Sequence, residues 1–162
     1  MRIEDRLREL GLVLPEPFQS PTGQPYPFRW VRVRGNRAYV SGQLPLAPDG
    51  SLAQPLGKVG AEVTPEQGRQ AARLAALAAF AGLRRELGDL DRVTAWLRVF
   101  GMVNVAPGFT QVAGVVNGFS ELLIDVFGPD VGAHARSAVG MAELPFGVAV
   151  EIEAEVEIDG RA

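Results

Sequence analysis

The chain has 162 residues, 47% of them hydrophobic and 22% charged, which fits one globular domain able to bury a core unaided. It lacks cysteine, and that excludes disulfides, thiolate metal sites and a cysteine nucleophile. A net charge of −3 argues against a dedicated nucleic-acid surface, no apolar run is expected to span a membrane, and residues 1–6 are too charged for a signal peptide, so the cytoplasm is the expected location.

Residues 2–10 predict a short amphipathic helix with Ile3, Leu7 and Leu10 on one face and Gly11 as its stop. Pro15, Pro17, Pro21, Pro25 and Pro27 then predict an extended, irregular lead-in. Strands over 29–34 and 37–43 form a hairpin about Gly35-Asn36, and a turn follows at 48–51. Thr64-Pro65-Glu66-Gln67 is a capping box that opens a helix running to Leu87, where Gly88 ends it. Its inner face is rich in alanine, so it can pack close to a sheet.

Residues 92–104 predict a strand apolar on both faces, with Val93, Leu97, Val99 and Val103 on or near one side and Trp96, Phe100 and Met102 on the other. A second helix runs from about Thr110 to Phe127, with Gly128-Pro129 as its stop. Strands over 135–143 and 148–158 are joined across 144–147. In the last strand Val148, Val150, Ile152, Ala154, Val156 and Ile158 share one face, and Glu151, Glu153, Glu155 and Glu157 share the other. This order predicts an α+β domain with two long helices on one face of a sheet. Trp96, Phe100 and Met102 are then left on the bare face, which points to a partner subunit, the alternative being a sheet that curls on itself and buries them alone.

Two residues are candidates for chemistry. Arg136, at the mouth of a strand, can offer a planar fork to a carboxylate or phosphate. On chemistry alone, a surface arginine or an internal ion pair is the simpler reading. Glu151 belongs to what alone reads as a solvated acidic comb, but a cleft on that face would make it a base or water-positioning group. His134, the one histidine, has no partners suited to a metal, and a surface or loop role is expected. Arg29, Arg32, Arg34 and Arg37 beside Trp30 and Tyr39 read as the outward side of a hairpin and not as a nucleic-acid platform, given the acidic total. Phosphate-loop and dinucleotide-binding glycine patterns are absent from the sequence, so no nucleotide cofactor is indicated.

Three stretches together resemble the Rid (reactive-intermediate deaminase, or YjgF) family: Tyr39-Val40-Ser41-Gly42-Gln43-Leu44-Pro45, Ala135-Arg136-Ser137-Ala138-Val139, and Leu144-Pro145 followed by Val150-Glu151-Ile152-Glu153-Ala154. The resemblance spans roughly 25–158. It implies a chorismate-mutase-like (YjgF-like) fold with a mixed sheet. Residues 1–24 then hold the N-terminal helix and proline-rich lead-in, and 25–162 form a single Rid-like domain. It also implies a homotrimer with clefts between subunits and hydrolysis of reactive enamines and imines without a cofactor or metal. In that chemistry Arg136 grips the substrate carboxylate, Glu151 helps place the attacking water, and backbone near Ser41 and Gly42 lines the cleft.

The sequence departs from the family pattern at three places. Ala138 stands where a cysteine is frequent, and Phe28 falls at the position of a common tyrosine, with Tyr26 two residues away. The family's helix asparagine matches Asn117 by local motif or Ser120 by distance from Phe127-Gly128. The partner expected is a small carboxylate-bearing molecule, with neither membrane nor nucleic acid. Two other readings stand beside the enzyme: a non-catalytic carboxylate binder, and an RNA-directed role, since some Rid relatives are described as ribonucleases or translation inhibitors.

Overall fold

A computed structural model describes residues 2–160, so positions 1 and 161–162 of the two expected ranges lie outside it. In chain order the elements are α1 (Arg2–Glu9), β1 (Val31–Arg34), β2 (Arg37–Gln43), α2 (Pro65–Leu87), β3 (Val93–Asn104), α3 (Val112–Val131), β4 (Ala135–Met141) and β5 (Val150–Ile158). Single 3-10 turns at Leu90–Arg92 and Pro145–Gly147 precede β3 and β5. The sheet order is β1-β2-β5-β3-β4, antiparallel except for the parallel β3–β4 pair, so the sheet is mixed and the fold is α+β of the chorismate-mutase-like kind. The last two strands are not neighbours: β5 inserts between β2 and β3, while β4 takes the edge.

Local sequence explains α2 in full. The Thr64 hydroxyl accepts from the Gln67 N–H and the Gln67 side chain accepts from the Thr64 N–H, Pro65 fills the first helical position, and Gly88 closes the helix at φ 79°. Ala72, Ala75, Ala76 and Ala79 are wholly buried, which brings the helix down onto the sheet. Its approach to α3 is close enough that a Cβ on Gly118 would sit 2.1 Å from the Arg69 carbonyl oxygen. Gly101 of β3 plays the same part under Val116, where a Cβ would meet the methyl groups at 2.6 Å.

One expectation for β3 needs correction. Trp96 is not on the bare face. The register of β3 against β5 slips between Trp96 and Arg98, and this bulge turns the indole to the helix side, 1% exposed against Phe80, Phe119 and Phe127. Phe100 and Met102 do stand on the helix-free face, half-buried, opposite Glu153 and Glu151. The second helix does stop at Gly128, whose φ of 87° and ψ of 167° are non-helical, and Pro129 opens a further short turn that runs to Val131. By length and composition α3 is also apolar enough to cross a bilayer, contrary to the sequence reading, but its apolar side faces the core through Val115, Phe119, Leu122 and Val126.

The α1 helix is tied down from outside. Both carboxylate oxygens of Asp91 accept from its first N–H groups, those of Arg2 and Ile3, at 2.8 and 2.9 Å, and Leu7 is buried in the common core.

Candidate functional site

The β2–β5 register breaks between Val40 and Gln43, so the backbone at Ser41-Gly42 leaves the regular ladder. Ser41 is fixed there twice, its N–H donating to the Trp30 carbonyl at 2.9 Å and its hydroxyl to the Arg29 carbonyl at 2.7 Å. Glu151 folds over this backbone: its carboxyl carbon lies 2.8 Å from where a Cβ on residue 42 would be, which is why glycine stands there. Among the described residues the half-buried carboxylate has neither a hydrogen-bond nor an ion-pair partner. Burial first, and the like charge of Glu153 second, hold its pKa above the ordinary glutamate range.

A cleft of about 370 Å³ opens above Glu151. Phe18, Tyr26, Phe28 and Trp30 of the lead-in form one wall, and Phe146 of the 145–147 turn forms another. Phe146 takes a left-handed backbone conformation, φ 59°, rare for a bulky residue.

Arg136 lies elsewhere. On the edge strand it pairs in register with Val99, so its side chain leaves the helix side of the sheet and runs under the start of α3. One guanidinium nitrogen donates to the Ser120 hydroxyl at 3.0 Å and the other to the Ala113 carbonyl at 3.1 Å. No carboxylate among the described residues reaches ion-pair distance, so the internal ion pair that the sequence allowed is not formed. Ser120 in turn lies 2.8 Å from Nε2 of His134, whose Nδ1 lies 2.8 Å from the Gly132 carbonyl. A carbonyl can only accept, so Nδ1 donates to Gly132 and Nε2 shares a hydrogen bond with the Ser120 hydroxyl. Asn117, half-buried and without a side-chain hydrogen bond among the described residues, shares the α3 face of Ala113 and Ser120. Ala138 sits two residues beyond Arg136 on the same side, opposite Gly101.

The residues singled out in the sequence therefore fall into two groups. Phe28, Ser41, Gly42 and Glu151 meet in the aromatic cleft; Arg136, Asn117 and Ala138 gather at the edge strand on the opposite face of the sheet. One chain does not bring the groups together. Both Tyr26 and Phe28 line the cleft, and Ser120, not Asn117, bonds Arg136. Sequence reasoning missed Phe18 and Phe146 altogether and read Trp30 only as part of a hairpin; aromatic residues recurring through a proline-rich segment were the available signal. No group of His, Asp or Glu among the described residues is arranged to hold a metal.

The family model described as "YjgF/chorismate_mutase-like, putative endoribonuclease" matches residues 4–151. Protein TCP17 of Trypanosoma cruzi is 40% identical over 158 residues, 98% of this chain and 95% of its own. Among solved structures, Atu1372 from Agrobacterium tumefaciens, of unknown function, is 40% identical with a TM-score of 0.85, covering 98% of this chain and 94% of that one. A Shewanella oneidensis protein described under the same endoribonuclease name is 30% identical with a TM-score of 0.86, covering 98% and 100%.

Proposed function

Because this chain belongs to the Rid (YjgF) family, we propose that it hydrolyses reactive imines and enamines bearing a carboxylate, in clefts completed between the copies of a homotrimer. The observation that carries this reading is the pair of complementary half-sites. Among the described residues Arg136 has no carboxylate partner and Glu151 no cationic one, and the two leave the sheet on opposite faces. A second copy whose edge strand meets the aromatic cleft would unite them.

In the united site the Arg136 fork holds the substrate carboxylate, with Ser120 and the Ala113 carbonyl keeping the guanidinium in place. An enamine takes a proton at carbon and gives one up at nitrogen to become the imine. Water then adds across the C=N bond, hydroxyl to carbon and proton to nitrogen; the hydroxyl proton passes to the nitrogen as the C–N bond breaks, and ammonia leaves a carbonyl product. Glu151 suits these proton steps, because burial raises its pKa towards the working range of a group that must give and take a proton. No cofactor is required for this balance.

The test is direct. A dehydratase generates 2-aminoacrylate, the protein is added, and imine loss is timed. Arg136→Ala is expected to lower kcat/KM about tenfold to a hundredfold, the loss of a charged hydrogen-bonded contact worth about 1.5–3 kcal/mol. Arg136→Lys should recover only part of it, since an ammonium lacks the fork. Glu151→Gln should lower kcat more than it raises KM. Unchanged imine decay with the wild type would remove the enzyme reading; saturable pyruvate binding in that case would leave a carboxylate binder. The RNA-directed reading draws support from a relative's name. Against it, the outer-face cleft lined by Arg32 and Arg98 is lined equally by Glu153 and Glu155. RNA binding is expected to be weak and to fade steeply with salt in a filter-binding titration.

A further inference from the structure

The aromatic cleft holds more than a carboxylate grip and a water would need. Trp30 meets three rings nearly edge-on: Phe18 at 6.0 Å and 85°, Tyr26 at 5.6 Å and 77°, Phe28 at 5.1 Å and 74°. Phe146 closes on Phe18 at 5.9 Å. Phe18 and Tyr26 lie stacked at 6.2 Å and 23° and Trp30 stands across them, so the rings wall the cleft on more than one side, like a box. The box is not simply core: Phe28 is 48% exposed and Phe146 39% exposed. Phe146 is moreover held at φ 59°, a conformation that costs free energy and that recurs where a side chain is aimed at a ligand.

Two carboxylates, Glu151 and Glu153, line the same cleft, and neither has a cationic partner among the described residues. Among the described residues no lysine or arginine of the same chain lines this cleft. Aromatic faces carry negative quadrupole charge, and the carboxylates add full charge. The complement of such a box is a cation with an apolar skin. A neutral apolar ligand would make no use of the carboxylates, and an anionic group would need the Arg136 of a second copy to offset them.

We propose that the cleft formed by Phe18, Tyr26, Phe28, Trp30 and Phe146 with Glu151 and Glu153 binds an organic ammonium group, its nitrogen carrying alkyl substituents. Cation recognition stands on this cleft alone. That the cation is the end of the substrate remote from its carboxylate rests on the deaminase reading above. Anion at Arg136 and cation at the box would then set the substrate's direction and select zwitterions over small imines.

Choline and 3,3-dimethyl-1-butanol have one shape and differ in charge, so calorimetric titration of the full chain with each reads the charge alone. Choline is expected to bind at least about tenfold more tightly, the scale of a cation against desolvated rings. Trp30 should report the event in fluorescence, because the other tryptophan, Trp96, is sealed in the core. Phe28→Leu keeps apolar bulk and removes the ring, and Glu153→Gln removes a charge. Each should weaken choline several-fold and leave the alcohol and the melting temperature unchanged. Equal affinity for the two probes, no saturable choline binding, or indifference to Phe28→Leu would overturn the proposal. Choline has no carboxylate, so the two readings fail separately: bound choline without imine hydrolysis sinks only the enzyme, and imine hydrolysis without bound choline sinks only the cation box.

Discussion

The carboxyl group of Glu151 rests on the backbone of Gly42, and folding withdraws it from water without supplying a donor. Its folded pKa is therefore above its unfolded one, and the folded state holds the proton more tightly. Stability from that proton is full at low pH and is lost as pH rises from the ordinary glutamate value through the raised one. Glutamine never ionises, so Glu151→Gln should gain on the wild type as pH climbs above the ordinary glutamate value of about 4. Urea denaturation at each pH measures this; a constant difference would contradict the burial assigned to the group. Gly42→Ala should push the same carboxyl aside, and since that side chain is flexible the melting temperature should change little while imine hydrolysis falls. Ser41, Gly42 and Glu151 were legible in the sequence because their motif is local. The ring of Phe146 was not, since its place beside Phe18 is made by a turn and a lead-in 128 residues apart in number (146 − 18).

The capping box of α2 and its glycine stop could be read residue by residue, because every partner lies within one turn. The bulge in β3 could not. A period of two assigned Trp96 to the outer face, and one extra residue reverses that assignment, leaving no trace in composition. The capping of α1 by Asp91 was equally hidden, its partners lying 88 and 89 positions away. Asp91→Ala should fray α1 and cost about 1 kcal/mol, seen as faster amide exchange over 2–9. Although burial works the other way, the two N–H donors hold the Asp91 pKa below its usual value, so this anchor should loosen as pH falls through the acid range. The α2–α3 contact makes a sharper demand. Gly118→Ala adds a methyl group where the Arg69 carbonyl stands and should destabilise by about 1–3 kcal/mol in thermal melts, despite alanine's better helix propensity.

With Trp96 withdrawn into the core, the helix-free face is less apolar than the sequence suggested. Phe100 and Met102 remain half-buried on it, among Arg32, Arg98, Glu153 and Glu155. A surface of alternating charge with apolar patches suits contact with a copy of itself. Light scattering after size exclusion is expected to give three times the chain mass, and Phe100→Glu should lower it. A monomer that persists at high protein concentration would remove the two-copy site. The α+β class, the two-helix layer and the mixed sheet were all legible from element order and motif. The splitting of the site residues between two faces was not, because strand order decides it and β5 takes an inner place out of sequence.

The hydrogen-bond chain Gly132–His134–Ser120–Arg136 has a practical consequence. The molecule contains a single imidazole, so nitrogen-15 spectra show one pair of ring signals and need no assignment. Any anion that arrives at Arg136 pulls on the Ser120 hydroxyl and is read out at Nε2. The fold has placed its own reporter two hydrogen bonds from the proposed grip, and a nitrogen-15-enriched sample of the unaltered sequence is enough to screen for what that grip holds.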